Sequence, residues 1–132
     1  MVLVDTSVWI DYFNGQDNAS TSKLDELLSS TIVIVGDLIL AEVLQGFRSD
    51  ADHRSAKGLL LDLEVHTIGG VELALKAADN FRTLRKKGIT VRKTVDCFIA
   101  TYCIEHRIPL LHSDRDFDPF TQPLGLRSEF SS

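Results

Sequence analysis

The sequence predicts an α/β fold in which a parallel sheet of four to five strands is covered by helices on both faces. Short apolar, β-branched runs recur at residues 2–4, 32–35, 65–68 and 109–112. Between them lie stretches whose apolar residues repeat at helical spacing. Strands that alternate with helices run parallel, and right-handed crossovers then set all the strand carboxyl ends along one edge. Open sheets of this type bind ligands on that edge.

Taken in order, the opening MVLV is a buried strand that stops at Asp5. Residues 7–13 follow as a helix, with Trp9 and Phe13 one turn apart, and Asn14-Gly15 ends it. Residues 17–22 read as polar loop and 24–28 as a short amphipathic helix. The run IVIV at 32–35 is the clearest strand, closed by Gly36-Asp37, and a helix over 38–47 carries an apolar stripe through Ile39, Val43 and Phe47. Residues 53–63 read as helix, 65–68 as strand, and 71–87 as a long helix stopped by Gly88. The helix expected over 94–106 buries Val95, Phe98, Ile99, Tyr102 and Cys103. Residues 109–112 form the fourth strand, the acidic turn SDRDFD follows, and a further short strand is expected near Leu124. Ser131-Ser132 is expected to fray.

The 132 residues fit one domain, with 44% hydrophobic and 25% charged side chains. No apolar run approaches the ~20 residues of a membrane helix, and no basic segment precedes a signal-type core, so the chain reads as cytoplasmic. Cys97 and Cys103 lie outside any C-x-x-C pattern and read as buried, reduced thiols. A net charge of −5 argues mildly against a nucleic-acid partner. The charge is uneven, however: Arg82, Arg85, Lys86, Lys87, Arg92 and Lys93 crowd into twelve residues.

The acids fall where the topology converges. Asp5 follows the first strand, Glu42 lies a helical turn beyond the second, Asp96 sits in the first turn of the helix that leads to the fourth, and Asp114 follows that strand. Each also has an ordinary explanation. Asp5 serves as a helix N-cap, Glu42 as a solvated surface acid, Asp96 as a complement to the helix dipole, and Asp114 as a turn former. The joint pattern points elsewhere. Carboxylates ~4 Å apart repel by about 4 kcal/mol per pair at an effective dielectric of 20, so a fold that gathers several needs a cation. Hard oxygen ligands select Mg²⁺ or Mn²⁺.

The segments VDTSVWIDYF, AEVLQG, TVRKTVDCFIA and LLHSDRDFD resemble, in order and spacing, the PIN domain, and most closely the VapC toxins of bacterial toxin–antitoxin pairs. The resemblance runs from the first strand to about Asp118. It implies a PIN-like three-layer α/β/α fold and a Mg²⁺-dependent ribonuclease, with Mn²⁺ as a substitute. By resemblance, Asp5 and Asp96 are the primary metal ligands, Glu42 positions a ligand water or completes a second metal site, and Asp114 completes the pocket. Asp116 is the alternative fourth acid. Thr6 or Ser7 would hold the Asp5 carboxylate or touch substrate. The resemblance also implies a homodimer and a small VapB-like antitoxin, which Trp9, Tyr12 and Phe13 would help receive if they are not simply core.

Arg92 and Lys93, arriving just before Asp96, are candidates for backbone phosphate contacts; the alternative is a solvated basic loop. Two other classes compete. A receiver-type signalling domain needs paired acids after its first strand and a lysine after its last; here Thr6 and Ser7 follow Asp5, and Lys93 is the last lysine in the chain. A catalytically silent PIN-like module that binds RNA or protein would lack one or more acids, and this chain keeps all of them.

Overall fold

The computed structural model describes residues 1–129. Six α-helices alternate with four strands: β1 (Val2–Val4), α1 (Thr6–Phe13), α2 (Ala19–Ser30), β2 (Val33–Gly36), α3 (Asp37–Leu44), α4 (Asp50–Leu61), β3 (Glu64–His66), α5 (Val71–Lys86), α6 (Thr94–His106) and β4 (Leu110–Leu111). A 3₁₀ segment, Arg115–Phe120, follows. The sheet is fully parallel in the order β3-β2-β1-β4, with Leu3 opposite both Ile34 and Leu110.

That order places the site. From β1 to β2 to β3 the chain steps one way across the sheet, so right-handed crossovers put α1 to α4 on one face. The last crossover reverses direction, which puts α5 and α6 on the other. The packing agrees: α1 touches α2 and α3, α3 touches α4, and α5 touches α6. The reversal makes the carboxyl ends of β1 and β4 the switch point at which such sheets open a crevice. Asp5 is held there by a backbone hydrogen bond from its N–H to the Leu111 carbonyl, 2.9 Å.

The core explains why the strands read so clearly. Val2 to Val4, Val33 to Val35, Leu110 and Leu111 are all buried, because helices cover both faces of a parallel sheet. Trp9, Phe117 and Phe120 are fully buried, and Trp9 stacks on Phe13 at 5.7 Å between ring centroids. Trp9 is therefore core, out of reach of any partner. Gly36 ends β2 because there is no room for more: a Cβ there would lie 2.5 Å from Ile68 Cδ1. Both cysteines are buried and free.

Several boundaries differ from expectation, each for a local reason. The segment read as loop at 17–22 belongs largely to α2. Asn18 accepts from the Thr21 N–H and the Thr21 hydroxyl accepts from the Asn18 N–H, a capping box that starts the helix early. The expected buried face of α6 is too narrow: Asp96, Cys97, Ala100 and Thr101 are buried as well, since this helix packs against both α5 and the 3₁₀ segment, while Val95 and Phe98 are only partly covered. No strand forms near Leu124. The chain there is a turn after the 3₁₀ segment, and only Ser128 bridges to Leu110, in parallel register. Strand β3 stops at His66 instead of continuing to residue 68, because the Ile68 N–H turns away to donate to Asp37 Oδ1 at 2.7 Å. The expected fraying at Ser131-Ser132 lies outside the described residues.

Candidate metal-dependent active site

Three segments deliver carboxylates to the switch point. Asp96, Asp114 and Asp116 each place a carboxylate oxygen within 4.8 Å of the others. Asp114 and Asp116 come from one turn. The Asp114 side chain caps the 3₁₀ segment by accepting from the Asp116 N–H at 2.9 Å, so the cap that starts the segment also sets both acids side by side. The His112 ring, packed on Phe117, hydrogen-bonds the Asp114 carbonyl through Nδ1 at 3.1 Å and steadies the same turn.

Asp5, at the end of β1, lies outside the three-acid group, but its charge acts on Asp96 and couples to Asp114. Its carboxylate accepts the Ser7 hydroxyl at 2.7 Å and lies against the Ser7 N–H at 3.4 Å, so it is the N-cap of α1. The cap does not use up the carboxylate as a candidate ligand, since it stands at the strand end beside the acid group. Burial pushes the Asp5 carboxyl above its usual range, the Ser7 hydrogen bond opposes that shift, and the charge of Asp114 adds to it.

Asp96 carries the largest stress in the site. It is 8% exposed, and its Oδ2 is buried without a hydrogen-bond partner among the described residues. Burial, followed by the charge of Asp5, pushes its carboxyl up to about 7; Lys93 pulls against the shift, and Asp114 and Asp116 add to it. A buried carboxylate oxygen left unpaired beside three other acids is costly to ionise. A divalent cation would supply the missing partner, and an all-oxygen donor set is the one Mg²⁺ and Mn²⁺ accept. The residues therefore fit the metal that the spacing implied.

Glu42 is placed differently. It lies outside the three-acid group and instead accepts the Thr6 hydroxyl at 2.7 Å. Two adjacent hydroxyls in the first turn of α1 thus hold two different acids, Ser7 on Asp5 and Thr6 on Glu42. Asp118 is exposed and stands apart from the group.

An open cleft of about 710 Å³ lies over the acids, lined by Ser7, Thr90, Arg92, Asp114, Arg115 and Asp116 among others. Arg92 is thus at the cleft wall, and the Lys93 charge acts on Asp96. Arg115 escaped the sequence reading, although its place between two site acids was the available signal. Asp37 also went unweighed. It is an acid after a strand, like Asp5, yet its Oδ1 accepts from the N–H groups of Leu38 and Ile68 and ties α3 to the segment after β3.

Comparison with known proteins agrees with this geometry. Residues 2–121 match the PIN domain family. The chain is 30% identical over 130 residues to ribonuclease VapC11 of Mycobacterium tuberculosis and to a VapC ribonuclease of Mycobacterium bovis, covering 97% of each chain. Among solved structures it resembles VapBC2 from Rickettsia felis bound to a promoter DNA fragment, with a TM-score of 0.77, 18% identity and 98% of each chain covered. It also resembles VapC20 of Mycobacterium tuberculosis, a sarcin-ricin loop cleaving toxin, with a TM-score of 0.70 and 19% identity over 92% of this chain and 95% of that one. With a PIN sheet, an acid cluster at its switch point and VapC ribonucleases as full-length relatives, the chain belongs to the PIN domain family, in its VapC branch.

Proposed function

We propose that the protein is a Mg²⁺-dependent endoribonuclease, the toxin of a VapBC-type pair, with Mn²⁺ as a substitute. One observation carries the proposal: the buried, unpartnered Oδ2 of Asp96 beside Asp114 and Asp116. Asp5, Asp96, Asp114 and Asp116 would hold the ion. When bound, it supplies a water of lowered pKa and offsets the charge that builds on the phosphate.

The chain's own residues do the rest. Ser7 fixes the Asp5 carboxylate in one rotamer through its 2.7 Å bond. Glu42, fixed by Thr6, orients the attacking water from the α3 side. Arg92 and Arg115 on the cleft wall, with Lys93 beside Asp96, bind the phosphates that flank the cut. The water oxygen bonds to phosphorus as the P–O3′ bond breaks, leaving a 5′-phosphate and a 3′-hydroxyl.

No helix among the described residues is long and apolar enough to cross a membrane. The partners we assign are RNA, a VapB-like antitoxin and a second copy of the chain. An apolar groove of Ile10, Phe13, Val43 and Phe47 between α1 and α3 supports the antitoxin. Exposed Val71 and Leu75 at the start of α5 support the homodimer.

Incubating purified, antitoxin-free protein with total RNA tests the reading. Cleavage should require Mg²⁺ or Mn²⁺, stop with EDTA, and be lost in Asp5→Asn. If folded protein cuts nothing with either ion, the silent binding module replaces the enzyme.

A further inference from the structure

The six cations at 82–93 remain without a role beyond Arg92 and Lys93. All six are exposed, none makes an ion pair among the described residues, and no acid interrupts the chain from Asn80 to Val95. In a chain of net charge −5 this is a concentrated positive stripe. It runs from the last turns of α5, through the loop whose Thr90 and Arg92 line the acidic cleft, to the start of α6.

Beneath the α5 end of the stripe lies a second groove, of about 440 Å³, between α5 and α6. Ala77, Ala78, Phe81 and Phe98 give it an apolar floor, and Arg82 and Arg85 stand at its rim. Phe81 and Phe98 are both partly exposed, and the Arg85 guanidinium lies 5.7 Å above the Phe81 ring centroid. Thr94 and Cys97 also line the groove, so α6 presents one side to it and Asp96 to the acid cluster.

Aromatic faces under a rim of arginines form the platform on which single-stranded bases stack while phosphates pair with the cations. We propose that the α5–α6 groove is a subsite for single-stranded RNA, taking a base flanking the scissile bond on Phe81 and Phe98 and its phosphates on Arg82 and Arg85. The proposal rests on the ribonuclease reading and extends it, giving the substrate a path along the basic loop into the acidic cleft. A second copy of this chain fits the groove less well, because two such arginine rims would repel across the contact. The homodimer surface assigned to Val71 and Leu75 lies nearer the start of α5.

The test uses the intact chain in EDTA, so that binding is read independently of cleavage. The dissociation constant of a fluorescent twelve-nucleotide RNA is followed by anisotropy across salt concentrations, for wild type and for Arg82→Gln/Arg85→Gln. Losing two phosphate contacts should weaken binding about tenfold at low salt and reduce the log–log salt slope by about 1.4. Separately, RNA carrying 5-iodouridine should photo-crosslink to wild-type peptides containing Phe81 or Phe98. Unchanged affinity and slope, or crosslinks confined to other peptides, would overturn the subsite. If the variant instead turned dimer to monomer in sedimentation while RNA affinity held, the groove would be a contact between copies and the proposal would fall. Failure of RNA cleavage in Mg²⁺ would sink the ribonuclease reading alone.

Discussion

Thr6 donates its hydroxyl to Glu42 Oε1 across 2.7 Å, and that bond joins the first turn of α1 to α3. Glu42 lies half-buried on α3, and among the described residues the Thr6 hydroxyl is what sets where its carboxylate points. Thr6→Val keeps the shape and removes the donor. It should lower kcat for RNA cleavage about tenfold with little effect on stability, whereas Thr6→Ser should restore most of the rate. Steady-state kinetics on the two purified variants separates the outcomes.

Ser7 acts on the other acid. Its hydroxyl bond is the main influence opposing the burial that raises the Asp5 carboxyl. In Ser7→Ala the Asp5 pKa should climb further, so the acidic limb of the pH–rate profile moves to higher pH. Mn²⁺ affinity at pH 7 should drop several-fold, read by isothermal titration. The loss of one hydrogen bond to a buried carboxyl should cost roughly 1–3 kcal/mol of stability.

Asp96 sets a pH dependence of the metal-free fold. Its folded value of about 7 stands above the ordinary 3.8, mainly through burial and then through the charge of Asp5. Between those values the folded chain holds the proton more firmly than the unfolded chain does. Stability is therefore fully present below pH 3.8 for this group and falls as pH rises towards 7. Without metal, melting temperature should drop from pH 5 to pH 8. Asp96→Asn should flatten that slope and stabilise the metal-free protein at pH 8 by on the order of 1–2 kcal/mol. The same variant should no longer be stabilised by added Mn²⁺.

Gly36 tests how the scaffold supports the site. A Cβ there would lie 2.5 Å from Ile68 Cδ1 and 3.0 Å from Cγ1, so the fully buried Ile68 side chain would have to shift. Gly36→Ala should cost about 1–3 kcal/mol in urea unfolding. Adding Ile68→Val removes the clashing carbon and should recover part of that loss. Because Gly36 caps the helix that carries Glu42, the single variant should also cut more slowly.

What the sequence revealed follows from the range of the interactions involved. The β1 strand and its terminal Asp5, the limits of α6 and the ordering of strands and helices are legible because burial imposes a pattern on consecutive residues. Asp96 and Asp114 are legible as site candidates because topology alone brings strand ends and the helix leading into the last strand to one edge. The start of α2 is obscured by its polarity, although Asn18 and Thr21 carry the cap that explains it. Sequence spacing alone does not separate Asp114 from Asp116, because the 3₁₀ turn sets both carboxylates close to Asp96. The Thr6–Glu42 bond spans 36 residues, and no local pattern encodes such a pairing.

The chemistry of the RNA ends tests the acidic cluster most directly. Purified wild type and Asp96→Asn would each be given a 5′-labelled RNA in Mg²⁺, with and without EDTA, and the new termini identified. Hydrolysis by water at the acid cluster yields 5′-phosphate and 3′-hydroxyl ends, lost in EDTA and in Asp96→Asn. Products ending in 2′,3′-cyclic phosphate would show that the RNA's own 2′-hydroxyl is the nucleophile, and cleavage that survives EDTA in the variant would show that neither the ion nor Asp96 is needed. Either result would contradict the metal site.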